Sequence, residues 1–228
     1  MTAVQHTDRL YAGELAKLRE SVLYMGAKAE EVLGRGMQAL AERDVEGARR
    51  LIALDEQIDE LEVQIDDLAL LILARRHPVA SDLRLIAAVL KIVTDLERVG
   101  DLGVNICERV IELAAAPTME GQADVLELGA LVGAMLHDAL DAFVRADEAL
   151  ARDVLDRDSE VDSRFARIFE DLVARMMQGP QNVDRATRLQ SLARYLERIA
   201  DHATNVAEMV VFMVKGKDVR HSQRGTRG

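Results

Sequence analysis

The sequence predicts an all-α protein built as two tandem three-helix bundles, six long helices related by an internal repeat. Composition is the first reason. Aromatics are 3% with no Trp, while Ala, Leu, Glu, Arg and Met, which lose little freedom in a helix, are abundant. Proline is the second. A helix interior loses about 3 kcal/mol to proline, and Pro78, Pro117 and Pro180 are the only three in 228 residues. No alternating segment is flanked by Asn-Gly or Asp-Gly, so no hairpin is expected. The repeat is the third: Leu96-Glu97-Arg98-Val99-Gly100-Asp101 recurs as Leu196-Glu197-Arg198-Ile199-Ala200-Asp201.

The elements follow in order as helices 5–42, 45–76, 80–114, 122–145, 148–178 and 182–215. Soft breaks at Glu42-Arg43-Asp44 and Ala146-Asp147-Glu148 separate the first from the second and the fourth from the fifth. Pro78 and Pro180 occupy equivalent gaps, and Ala114 to Gly121, with Pro117 inside, reads as the linker between halves. Helices of about 30 residues are about 45 Å long, and short connections make neighbours antiparallel. The repeat extends to Asn105/Asn205 and Glu108/Glu208 at an offset of 100, and to Asp55-x-x-Ile58-Asp59 against Asp158-x-x-Val161-Asp162 at an offset of 103. Each unit is therefore about 100 residues: 1–116, then 117–216. The basic tail 217–228 has no apolar period and is expected to be disordered.

Charge and length narrow the function classes. A net charge of −11 argues against sequence-independent binding to nucleic acid or to anionic membrane, both of which need a basic footprint. The single cysteine, Cys107, rules out an internal disulfide and a Cys-rich zinc site, and reads as a buried thiol in a reducing compartment. The N-terminus lacks a basic and an apolar region, so no secretion signal is seen. No apolar run reaches the roughly 18 residues a spanning helix needs. The expected location is the cytoplasm.

The candidate chemistry is carboxylate. At about 100° per residue, Glu97, Asp101, Asn105 and Glu108 share an arc of about 80°, bordering the apolar face. Lys91, Asp95 and Arg98 sit further round, toward water. Helix six repeats the set as Glu197, Asp201, Asn205 and Glu208; Asp55 and Asp59 lie beside Ile58, and Asp158 and Asp162 beside Val161. Acids at i, i+4 repel, more so when partly desolvated. Two compensations stay open. Arg98 can reach Asp101 and Arg198 can reach Asp201, making salt bridges; or each repeat holds cations, for which oxygen-only donors suit hard ions or carboxylate-bridged iron. Asn105 and Asn205, with Glu108 and Glu208, are candidates for an extra ligand or a supporting hydrogen bond.

His202 adjoins Asp201 but is matched by Leu102, and reads first as a surface histidine. His77 and His137 have no partners at ligand spacing. Glu-x-x-His, His-Glu-x-x-His and the Gly-x-x-x-x-Gly-Lys-Ser/Thr phosphate loop are all absent. Met176 and Met177 read as core filler.

Two segments resemble the signatures of the PhoU family, phosphate-specific transport accessory proteins. They are Ser81-Asp82-Leu83-Arg84 through Leu90-Lys91-Ile92-Val93-Thr94-Asp95-Leu96-Glu97-Arg98-Val99-Gly100-Asp101 to Asn105-Ile106, and Tyr195 through Asn205. The resemblance covers about 10–215. It implies a pair of three-helix bundles, often dimeric, that bind multinuclear metal clusters through (Asp/Glu)-x-x-x-Asp motifs. Those motifs fall on Asp55/Asp59 with Glu97/Asp101, and on Asp158/Asp162 with Glu197/Asp201. The metal would be divalent or trivalent: iron, zinc, manganese or magnesium. The implied role is a non-catalytic adaptor that represses the phosphate-starvation response, linking the ATPase subunit of a phosphate ABC transporter to a sensor histidine kinase. Leu102 opposite His202, and Glu30 and Glu31 opposite Gly133 and Ala134, are departures that bear on cluster symmetry. A carboxylate-bound metalloenzyme, hydrolase or oxidase, is the alternative, but no repeated histidine, lysine or serine stands beside the acids as a general acid or base.

Overall fold

In the computed structural model, which describes the backbone of residues 2–216 and side chains from Leu10 onward, the chain is helical throughout and the described residues hold no strand. The helices are α1 (Thr2–Glu42), α2 (Val45–Ile52), α3 (Asp55–Arg75), α4 (Ala80–Ala114), α5 (Gln122–Arg145), α6 (Glu148–Met177) and α7 (Val183–Lys215), with a short 3-10 turn at Pro180–Asn182. The tail 217–228, expected to be disordered, lies outside the described residues.

The one departure in the helix plan is the second helix, which the sequence runs unbroken over 45–76. It is interrupted at Ala53 and Leu54, where Leu54 N donates to Leu51 O at 2.9 Å and Gln57 N to Leu54 O at 3.1 Å. These i to i−3 bonds tighten the chain locally, as short 3-10 turns do. No glycine or proline marks the spot, so local sequence gives no warning.

Both soft breaks are built alike. Arg43 (φ 59°) and Ala146 (φ 50°) take the left-handed conformation, and each is followed by an aspartate that caps the next helix. Asp44 accepts from Gly47 N at 2.8 Å, and Asp147 from Ala149 N at 2.9 Å and Leu150 N at 3.1 Å. Such caps satisfy amides with no partner inside the helix. The linker is strapped rather than loose. Arg43 donates to Ala114 O (2.8 Å), Ala116 O (2.6 Å) and Thr118 Oγ1 (3.0 Å), and Arg185 donates to Pro117 O at 3.3 Å.

In each repeat a long third helix is the spine: α4 packs on α1, α2 and α3, and α7 on α5 and α6. The repeats meet where α4 packs on α7 and α1 on α5. Every fully buried side chain among the described residues is apolar. Leu18, Val22, Met25, Ala29 and Val32 mark the inner stripe of α1, and Ile86, Val89, Val93, Leu96 and Val99 that of α4. Each large side chain buried this way contributes about 1.5–3 kcal/mol. The close approach of α3 to α4 depends on Gly100, where a Cβ would meet Ile58 Cδ1 at 2.9 Å. The second repeat has Ala200 at the matching position, and the smaller Val161 where the first has Ile58.

Candidate functional site

The first repeat's acids gather along the seam of α3 and α4. Asp55 opens α3, and its Oδ1 is buried with no hydrogen-bond partner. Burial pushes its carboxyl above the ordinary range, and the charges of Asp59 and Asp101 push it further. Glu97, 16% exposed at its side chain, is raised by burial and then by Asp101, with Arg98 opposing and Glu62 and Asp59 adding. The four acids named from spacing therefore share one field. Arg98 approaches from the solvent side, 54% exposed, with Nη1 at 3.1 Å from Asp101 Oδ2 and Nε at 3.2 Å from Glu97 Oε2. The second contact is an ion contact without hydrogen-bond alignment, so Glu97 Oε2 stays unsatisfied. Asn105 donates to Asp101 O at 2.8 Å, and Glu108 is exposed.

The second repeat does the same on α6 and α7. Glu197 is raised by burial, then by Asp201, with Arg194 opposing and Asp162 and Asp158 adding; its Oε2 is also buried and unpartnered. Asp201 is raised by burial and by Asp162, against His202, Arg194 and Arg198. The nearest basic clamp is Arg194, which donates to Glu197 Oε1 at 3.2 Å, where the sequence points to Arg198 on Asp201. Arg98 and Arg194 are each more than half exposed, and surface pairs of that kind offset little charge.

Three expectations about individual residues need correcting. Asp95, read as facing water, is 17% exposed and turned toward α7; His202, read as a surface histidine, is 18% exposed and pairs with it at 2.8 Å. Asn205 also turns to Asp95 Oδ1, at 2.9 Å. Met177, read as core filler, is 85% exposed; His137, which has no partner at ligand spacing, lies 2.9 Å from Glu30 Oε1 across the repeats. Glu208 is half-buried beside Asn205 in the α4–α7 groove. Cys107 is buried as expected, and burial pushes its thiol up to about 11.

Two further acids belong to the first seam and were missed. Glu62 is raised by burial and then by Asp66 and Asp59, and Asp66 by burial and then Asp67; Asp66 Oδ1 is buried and unpartnered. The signal was available, since positions 55, 59, 62 and 66 fall within about 60° on a helix. Their counterparts at offset 103 are Phe165 and Phe169, a tilted ring pair with centroids 6.5 Å apart, and Arg194 lies 5.6 Å over the Phe165 ring.

The donor set is chemically suited to hard cations: it is all oxygen, desolvated enough to be raised, and keeps unsatisfied oxygens in both repeats. As the side chains stand, no three His, Cys, Asp or Glu among the described residues converge tightly enough to hold an ion. Among those residues no helix is long and apolar enough to cross a membrane.

Comparison with known proteins places the two repeats in a family. The PhoU domain model matches residues 22–110 and again 125–210. The chain is 40% identical over 217 residues to a Pseudomonas putida protein named phosphate-specific transport system accessory protein PhoU homolog, covering 95% of this chain and 85% of that one. The crystal structure of PhoU from Pseudomonas aeruginosa superposes with a TM-score of 0.88 at 38% identity, covering 91% of this chain and 100% of that one. The phosphate transport system regulatory protein PhoU from Streptococcus pneumoniae gives 0.85 at 27% identity, covering 92% and 99%.

Proposed function

This chain belongs to the PhoU family, and from that premise we propose that it is a non-catalytic, cytoplasmic accessory protein that restrains phosphate uptake and the phosphate-starvation response when phosphate is plentiful. Its partners in this reading are the ATPase subunit of a phosphate ABC transporter and the cytoplasmic domain of a sensor histidine kinase, and it works as a homodimer. What supports the reading most is that each family-matched segment carries one complete acid seam.

Cations are part of the proposal. Asp55, Asp59, Glu97 and Asp101 would hold them in the first repeat, and Asp158, Asp162, Glu197 and Asp201 in the second. A bound cation supplies positive charge that cancels the repulsion and ties the second arm of each repeat to its spine helix.

Deleting the gene in its host tests the role. Phosphate-starvation promoters should become active in phosphate-rich medium, and unchanged repression would sink the adaptor reading. Metal analysis of the purified protein tests the sites. Asp101→Ala with Asp201→Ala should abolish binding while circular dichroism stays helical, and full stoichiometry in that variant would reduce the seams to salt-bridged surfaces.

A further inference from the structure

We propose that Asp95, in the first repeat, is a positioning residue for the acid seam of the second. The inference rests on reading that seam as a cation site. Asp95 Oδ1 accepts from His202 Nδ1 at 2.8 Å and from Asn205 Nδ2 at 2.9 Å. An ionised carboxylate only accepts, so it selects the tautomer or charge state of His202 that carries a proton on Nδ1. His202 and Asn205 stand at i+1 and i+4 from Asp201, so both bonds grip the single turn of α7 that presents Asp201 to α6. Asp95 itself lies two residues before Glu97, on the helix that bears the first repeat's acids. The clasp thus joins the helix that carries one seam to the helix that carries the other.

The arrangement runs in one direction only. Tyr195 stands where a second Asp95 would be, and Leu102 where a second His202 would be. Asn105, the counterpart of Asn205, folds back onto Asp101 O at 2.8 Å. A second histidine bond between the repeats, His137 to Glu30, is 2.9 Å long but has a histidine that is 68% exposed, against 18% and 17% for His202 and Asp95. It is an internal control for a cross-repeat bond in open solvent.

The experiment isolates the second seam by placing Glu97→Gln and Asp101→Asn in the full chain, then titrates manganese(II) alone and follows it by electron paramagnetic resonance. Removing a group that orients a ligand-bearing turn typically weakens metal binding about 10- to 100-fold. Asp95→Asn should therefore lose about tenfold or more in manganese affinity, Asp95→Glu should restore most of it by keeping the charge, and His137→Ala should change nothing. Equal affinity in Asp95→Asn and its parent overturns the proposal. Hydrogen exchange on the metal-free chain gives a second readout: amides of 201–206 should exchange faster in Asp95→Asn than in the parent, and unchanged exchange overturns the clasp. If the parent binds no manganese while its exchange still responds to Asp95, the cation reading fails and the positioning of the turn stands.

Discussion

The two repeats share a plan at their ends and differ in the middle of their second arms. Both begin that arm after a left-handed residue and an aspartate cap, Arg43-Asp44 and Ala146-Asp147. Both set acids against a spine helix. Beyond the shared acids, however, the first repeat continues with Glu62 and Asp66, whereas the second closes with the Phe165–Phe169 ring pair, Arg194 lying over Phe165. One seam extends its negative charge along the bundle and the other caps it with rings and a cation. A sequence repeat therefore fixes the kind of site without making the copies equal. The first arm is also interrupted at Ala53 and Leu54, so Asp55 sits in the first turn of a new helix, while Asp158 lies inside α6.

The packing of arm on spine offers the largest contrast to test. Gly100 and Ile58 in the first repeat correspond to Ala200 and Val161 in the second, one methyl group exchanged between the two positions. Adding a Cβ at Gly100 puts it 2.9 Å from Ile58 Cδ1 and 3.2 Å from Ile58 Cγ2. Overpacking of this kind costs about 1–3 kcal/mol, against about 1 kcal/mol gained in helix propensity. Gly100→Ala should thus lower stability in urea unfolding, by about 1 kcal/mol net, and Ile58→Val added to it should recover most of the loss. A neutral Gly100→Ala would break the exchange argument.

Next in size is the longer acid seam. Asp55, Glu62, Asp66 and Glu97 are all raised in the folded chain, so the native state holds their protons more tightly than the unfolded state, where values are about 4. The stability they lend is full below about pH 4 and is lost as pH rises through their raised values. Glu14, Glu31, Glu148 and Asp184 work the other way, held low chiefly by hydrogen bonds from Arg76, Arg35, Lys215 and Arg188, and lose their contribution as pH falls. The difference between variant and parent removes that background. Glu62→Gln with Asp66→Asn should raise the metal-free Tm at pH 7 by about 2–4 °C, and the gain should vanish near pH 4. A gain of the same size at both pH values would show that these acids are not in repulsion.

The smallest effect compares the two left-handed corners. Ala146→Gly relieves an unfavourable backbone and should stabilise by up to about 1 kcal/mol. Arg43→Gly gains the same relief but forfeits three solvent-exposed hydrogen bonds to the linker, each worth about 0.5 kcal/mol. It should come out less stable than the parent, with faster hydrogen exchange over 114–118. Equal gains at both corners would mean that the Arg43 strap has no hold on the linker.

By itself the sequence determined the helical class, five of six helix spans to within a few residues, the repeat, and eight acids placed on inward-bordering arcs. Those properties follow from local rules: propensity, proline positions, caps and a period of 3.6 act over one or two turns and need no partner. The family is legible for the same reason, since its signatures are short segments of one helix each. Only the tertiary structure decided the rest. The break at Ala53-Leu54 has no local signal, because both residues are good helix formers; α2 and α3 pack on α4 on either side of it. Asp95 and His202 looked solvent-facing because one helix was considered at a time, and the face they occupy is buried by another repeat's helix. Glu62 and Asp66 were visible as a stripe on α3, but which side of that stripe loses its water was set by where α4 lies. Desolvation, ion pairing and shared fields depend on distances between elements, and a chain read along its length carries the residues but not those distances.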